Sequence, residues 1–269
     1  MLRSIHDLKN FSIQAADGEV GHVTDFYFDD EKWVIRYLVV DAGNWLSNRK
    51  VLITPISIGT PDWDANILPV ALSMEQVKNS PAIDTDKPVS RQHENDYLGY
   101  YGYPGYWGGA GLWGVGMYPD LMMEGYVNNT APVEDPGRAT QIELAIQADQ
   151  DRHANDDTHL RSCKEITGYT LNASDGDIGK ISGMLVDEKN WAIRYLIIDT
   201  GHWWSGHQVL IAVQWIDAFL WTEQSVKVSM TRSEIKNAPL YEPDIPFGRE
   251  LELQIHQHYH RRTSYWTHE

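Results

Sequence analysis

Short stretches of alternating apolar and polar residues, separated by turn residues, dominate the first 81 positions of the chain. Ser12-Ile-Gln-Ala-Ala-Asp-Gly-Glu-Val20 alternates around an Asp-Gly step and predicts a hairpin. A strand over Val23–Asp29 follows, then the acidic turn Asp29-Asp-Glu-Lys32. The strongest strand signal is Trp33–Asp41, and two more lie at Lys50–Thr54 and Ile67–Leu72. Five or six short antiparallel strands in about 70 residues suggest a small β-barrel. Ser73 and Gln76 have capping-box spacing and predict a short helix that stops before Pro81.

The same pattern returns 158 residues later without a gap. Asp17-Gly-x-x-Gly21 lies on Asp175-Gly-x-x-Gly179, and Trp33-x-Ile-Arg-Tyr-Leu-Val-Val-Asp41 on Trp191-x-Ile-Arg-Tyr-Leu-Ile-Ile-Asp199. Gly43 and Trp45 meet Gly201 and Trp203, and Val51-Leu-Ile53 meets Val209-Leu-Ile211. Residues 2–81 share about 26 identities with residues 160–239, where average composition gives roughly 5. The two stretches are therefore homologous copies. This predicts a mainly β chain: barrel 1 over 1–81, a connector over 82–157, barrel 2 over 158–239 and a tail over 240–269. The barrels are expected to pack about a pseudo-twofold axis. The tail matches the start of the connector, with Arg249 on Arg91 and Glu252 on Glu94. Leu251, Ile255 and Tyr259 are spaced by four, which favours a helix there.

Charge divides unevenly over this map. The chain carries 22 Lys and Arg against 38 Asp and Glu, a net −16, and the connector alone has 13 acidic against 4 basic residues. That excess argues against phosphate-mediated binding of nucleic acid. A single cysteine, Cys163, excludes an intrachain disulfide and suits a reducing compartment. The N-terminus alternates charged and apolar residues where a signal peptide needs roughly 7 or more apolar ones in a row, so a cytoplasmic location is expected. The long uncharged run, Tyr97–Pro119, holds eight glycines and two prolines and makes a poor spanning helix. Membrane contact is therefore expected to be peripheral at most.

Arg36 and Arg194 lie mid-strand among apolar residues and need a carboxylate or carbonyl partner. Asp41 and Asp199 are tempting mates, but an interval of five points them to the opposite face unless a bulge intervenes. The repeated Gly21, Trp33, Arg36, Asp41 and Gly43, with Gly179, Trp191, Arg194, Asp199 and Gly201, are expected to specify the fold. Asp29-Asp-Glu31 misses the calcium-loop pattern and reads as a solvated turn. Histidines 202, 207, 256, 258 and 260 lack the company of a metal-site geometry and read as solvated. No nucleophile elbow or phosphate loop is present, so no catalytic residue, cofactor or metal is expected. Six tyrosines and two tryptophans in Tyr97–Pro119 must be covered by the chain itself, by a partner or by self-association. Tyr106, Trp107, Leu112 and Trp113, with the Trp203-Trp204 pair, are the candidate interaction residues.

The ordered set Leu160-Arg-Ser162, Asp-Gly-x-x-Gly, Trp-x-Ile-Arg-Tyr-Leu and Gly-x-Trp, found twice, resembles the PRC-barrel family. That module occurs in the cytoplasmic domain of the photosynthetic reaction-centre H subunit and in the C-terminal half of the ribosome-maturation factor RimM. The chain is most similar to bacterial proteins with two tandem PRC-barrels. The resemblance implies a β-barrel scaffold for protein or ribonucleoprotein contacts without shared catalytic chemistry. A non-enzymatic adaptor for protein assembly, stress-related or membrane-peripheral, is the leading expectation, with an unknown protein partner or self-association. The alternatives are a ligand- or metal-binding sensor using the cleft between the copies, and a ribosome- or RNA-associated factor.

Overall fold

A computed structural model of the chain describes residues 1–83, 89, 91–107, 109–114, 116–122, 159–201 and 207–261. The first copy runs β1 (Leu2–Ser4), α1 (Ile5–Leu8), β2 (Ser12–Ala15), β3 (Gly18–Asp29), β4 (Val34–Asp41), β5 (Lys50–Ile53), β6 (Ile67–Pro69), α2 (Met74–Asn79) and α3 (Arg91–Tyr101). The second runs β7 (Leu160–Ser162), α4 (Cys163–Ile166), β8 (Thr170–Ala173), β9 (Gly176–Asp187), β10 (Ile193–Asp199), β11 (Gln208–Ala212), β12 (Ile216–Leu220), β13 (Ser225–Val228), α5 (Arg232–Lys236) and α6 (Arg249–His258). Both capping boxes form, at Ser73 with Gln76 and at Thr231 with Glu234.

The compact units are not the contiguous stretches 1–81 and 158–239. One, the Arg36 unit, comprises Lys9–Ser162 with Lys189–Trp191, and so includes the described part of the connector. The other, the Arg194 unit, comprises Met1–Leu8, Cys163–Glu188 and Ala192–Glu269. Each unit takes its first strand from the other copy. In the Arg194 unit β1 pairs with β9, Leu2 opposite Asp187 and Ser4 opposite Leu185. In the Arg36 unit β7 pairs with β3, Leu160 opposite Asp29 and Ser162 opposite Tyr27. The registers are identical at the 158-residue offset, and so are the flanking ion pairs: Arg3 Nε to Glu188 at 3.1 Å, Arg161 Nε to Asp30 at 2.9 Å. Both strands are the tripeptide Leu-Arg-Ser, so either acceptor edge meets the same side chains.

Strand order is β5-β4-β3-β2-β6 in one sheet and β11-β10-β9-β8-β13-β12 in the other. The first five strands of each correspond at the same offset. Both sheets are mixed, because β6 returns parallel to β2 and β13 parallel to β8, which corrects the all-antiparallel expectation. Among the described residues the order is open, with β5 and β6 as its ends in the Arg36 unit, so the finding is two mainly β units with mixed sheets. Strand β4 is buried from Val34 through Val40 on both faces, which explains its near-continuous apolar run.

Glycine recurs at 21 and 179 because of a close backbone approach. A Cβ on Gly21 would sit 2.0 Å from the Asp41 carbonyl oxygen, and one on Gly179 would sit 2.3 Å from that of Asp199. Among the described residues no helix is long and apolar enough to cross a membrane.

The borrowed strand makes a regional prediction. Deleting residues 2–8 from the full chain should accelerate amide hydrogen exchange at Val186 and Glu188, whose amides face the borrowed strand, because β9 loses its neighbour. Tyr27–Asp29, which pair with β7, should exchange at the original rate. Equal acceleration at both edges would contradict the exchange of strands.

Candidate functional site

In the Arg36 unit the chemistry gathers around a fully buried guanidinium. Tyr27 pairs with Tyr37 and Phe28 with Ile35, so Arg36 is the extra residue of a β-bulge in β4. The bulge re-aims its side chain. Arg36 Nη2 donates to Asp29 Oδ2 at 2.9 Å, and Nη1 donates to the Leu112 carbonyl at 2.7 Å. Its Cζ lies 3.9 Å from the centre of the Tyr106 ring and 4.8 Å from that of Trp113, so two aromatic faces complete the enclosure.

Asp29 performs two jobs. Its other carboxylate oxygen accepts from the Glu31 and Lys32 amides, which shapes the turn into β4, and Trp33 N closes that turn on the Asp29 carbonyl. Burial alone would push the Asp29 carboxyl upward. The Arg36 charge and hydrogen bond, with the two amides, outweigh it and hold the group below the usual carboxylate value. Asp29 is therefore a buried partner, correcting the solvated-turn expectation. Asp41 and Asp199, the tempting mates, instead accept from Gly43 N at 2.9 Å and Gly201 N at 2.8 Å, each opening a loop whose glycine has a left-handed backbone.

The aromatic run closes over this site. Trp113 is fully buried and its indole donates to the Asn190 carbonyl, while Tyr106 OH donates to Glu94, which also accepts from Tyr37 OH at 3.4 Å. Lys32 Nζ donates to the carbonyls of Gly109 and Gly111. At Gly111 a Cβ would lie 2.2 Å from the Gly116 carbonyl oxygen, so the fold-back of the segment requires glycine there. Burial, reinforced by the Glu94 charge, pushes the Tyr37 phenol far up, and burial does the same to Tyr97. These phenols remain protonated donors at neutral pH.

Four candidate interaction residues are thus placed. Tyr106, Trp107 and Trp113 are buried and Leu112 is half-buried: the Tyr106 and Trp113 rings and the Leu112 carbonyl cover the chain's own guanidinium, and Trp107 packs edge-on against Tyr106. Trp203 and Trp204 lie outside the described residues. Of the repeated tryptophans, Trp33 stacks on Phe28, Trp191 is buried, and half-exposed Trp45 donates its indole N–H to the Val20 carbonyl.

The Arg194 unit holds a relaxed version of the site. Arg194 sits at the same bulge, between the pairs Ile193–Val186 and Tyr195–Leu185. It lies 3.7 Å from Asp187 and its side chain is 33% exposed, against 0% for Arg36. Tyr195 OH donates to buried Glu252 at 3.0 Å and shares a 3.1 Å hydrogen bond with His256 Nε2. His256 is buried and packs edge-on against Trp215, correcting the expectation of a solvated tail histidine. Sequence signals for this cluster were the Glu94–Glu252 match and the helical spacing of the tail. Among the described residues no three His, Cys, Asp or Glu side chains are placed to hold a metal ion. What the geometry does chemically is anchor: a cation fixes a carboxylate turn, a carbonyl and two rings in one place.

Residues 2–62 match the PRC-barrel domain. The chain is also similar to an uncharacterized protein of Deinococcus radiodurans, at 32% identity over 88 residues. That match covers 29% of this chain and 31% of the relative, so the chain spans about a third of the relative's length.

The two arginines should respond differently to removal. Arg36→Met strands a buried carboxylate and should lower stability by about 3–5 kcal/mol. Arg194→Met, at a partly exposed and longer pair, should cost at most about 1 kcal/mol, both read by urea unfolding. Asp29 also sets a pH dependence. Because its folded value is lowered, its stabilisation is complete above the unfolded value of about 3.9 and is lost as pH falls through the folded one. Asp29→Asn should flatten the stability–pH slope below about pH 4; an unchanged slope would show that other carboxylates carry it.

Proposed function

We propose that the chain is a non-enzymatic scaffold for protein–protein assembly, built from two PRC-type barrel modules, the matched one at 2–62 and its copy 158 residues on. The observation that supports this reading is the two-sided character of the aromatic segment. Its inner residues are pinned on Arg36, while Tyr100, Met117, Tyr118 and Leu121 are each at least 40% exposed on the same unit. Large apolar side chains held outward by a buried anchor suit a protein contact, because the chain ordering such a contact demands has already been met in the free protein. In this reading the acidic connector favours a partner with basic residues around an apolar centre.

Chemical crosslinking with mass spectrometry in the native host, comparing the wild-type chain with Met117→Glu/Leu121→Glu, tests this. These positions are exposed, so the double variant should keep its thermal midpoint within a few degrees while losing its partner crosslinks at residues 117–122. Retention of those crosslinks would reject this face as the contact.

A further inference from the structure

The Arg194 unit contains a cavity of about 520 Å³ lined by Asp175, Thr200, His207, Arg232, Ser233 and Lys236, among others. That volume falls within the usual range for small-molecule sites, which is about 300–1,000 Å³. The matching place in the first copy is occupied by the chain itself. There Arg49, the counterpart of His207, sends its guanidinium across to the carbonyls of Lys78, Ser80 and Pro81. Met74, the counterpart of Arg232, lies against Gly18 with its Cγ 3.3 Å from where a Cβ would be.

Four replacements separate the two places, and the smallest turns Ala42 into Thr200. Arg49 becomes the shorter His207, which withdraws the filling side chain. Met74 becomes Arg232 and Glu75 becomes Ser233, which adds a cation and removes a carboxylate. The first copy has two cations, Arg49 and Lys78, against Asp17 and Glu75. The second has Arg232 and Lys236 against Asp175 alone, and one Asp175 oxygen already accepts from the Arg232 amide at 2.7 Å. The Arg232 side chain is positioned by packing across Gly176, with Cδ and Nη1 3.6 and 3.7 Å from where a Cβ would be. Two bonds from Thr200 to the His207 carbonyl hold the opposite wall.

We propose that this cavity binds a doubly charged oxyanion, a phosphate group, between Arg232 and Lys236, with Ser233 as a further donor. Guanidinium and ammonium beside one committed carboxylate favour a dianion over a monoanion, and the fork of an arginine matches a phosphate's oxygens. The cavity is larger than a bare phosphate, so a phosphorylated small molecule fits the same chemistry.

The test is a titration of the full chain at constant ionic strength, followed by amide NMR shifts of residues 175, 200, 232, 233 and 236. The probes are inorganic phosphate, adenosine 5′-monophosphate and, as the opposite charge, methylguanidinium. Saturable shifts with phosphate are expected. A tighter response to the nucleotide identifies a phosphorylated organic ligand, and an equal one identifies the free ion. Arg232→Met and His207→Arg each install the residue of the first copy, and both should weaken phosphate roughly tenfold or more. The second is diagnostic because it adds positive charge yet refills the cavity. Stronger phosphate binding by His207→Arg would reduce the effect to general attraction and overturn the site. Unweakened binding by Arg232→Met, binding of methylguanidinium in place of phosphate, or a phosphate response no greater than that of chloride would overturn it as well. Lys236→Gln, an exposed change, repeats the test should either variant fold poorly.

Discussion

A guanidinium without solvent must find acceptors in the protein or destabilise it by several kcal/mol. Arg36 meets that demand through Asp29, the Leu112 carbonyl and two ring faces. Each solution organises a different part of the unit. Asp29 shapes the turn between β3 and β4. Leu112, Tyr106 and Trp113 require the Gly/Tyr/Trp segment to come back over the sheet. The bulge that turns Arg36 inward is the backbone deformation that makes both possible. Assembly of the aromatic face, and therefore the proposed contact, follows from satisfying one buried charge.

The second copy shows what happens when the demand is loosened. Arg194 keeps the bulge and an acidic neighbour but lies partly in solvent. The buried Glu252, which corresponds to Glu94, accepts from Tyr195 as Glu94 accepts from Tyr37, and His256 joins where the first copy has Leu98. A short distance along the same sheet, exchange of Arg49 for His207 leaves a cavity in place of a filling side chain. One copy thus engages Arg36 and Arg49 with its own carboxylate and carbonyl acceptors, while in the other Arg194 is partly exposed and Lys236 exposed.

Much of this architecture was legible in the chain. The duplication, the strands around Asp-Gly, the two capping boxes and the helical tail all rest on local patterns that the fold uses directly. The exchange of β1 and β7 was not legible, because both are Leu-Arg-Ser and both acceptor edges offer the same register, so no residue pattern separates pairing within a copy from pairing across copies. The partner of Arg36 was hidden for another reason. Alternation argued rightly against Asp41, but it assigns faces only in an unbroken strand, and the residue inserted at position 36 turns the guanidinium toward Asp29, a partner that spacing along β4 does not reveal. Asp29 looked like surface because acidic turns usually are. Its burial depends on Arg36 and on an aromatic cover about 76 residues away in sequence. The composition of Tyr97–Pro119 shows that its aromatics need covering, but not which surface they pack on.

The claim that Arg36 holds the aromatic segment in place is tested most directly by native-state hydrogen exchange on the Arg36→Met chain. The amides of Gly111, Trp113 and Gly116, which bond only within the segment's own fold-back, report on the cover, and the β4–β5 ladder from Leu38–Ile53 to Asp41–Lys50 serves as the internal reference. The account predicts that protection of the three cover amides collapses to a larger degree than that of the ladder. Cover amides that stay as protected as in the wild-type chain, relative to the ladder, would show that the segment docks without the buried guanidinium and would contradict it.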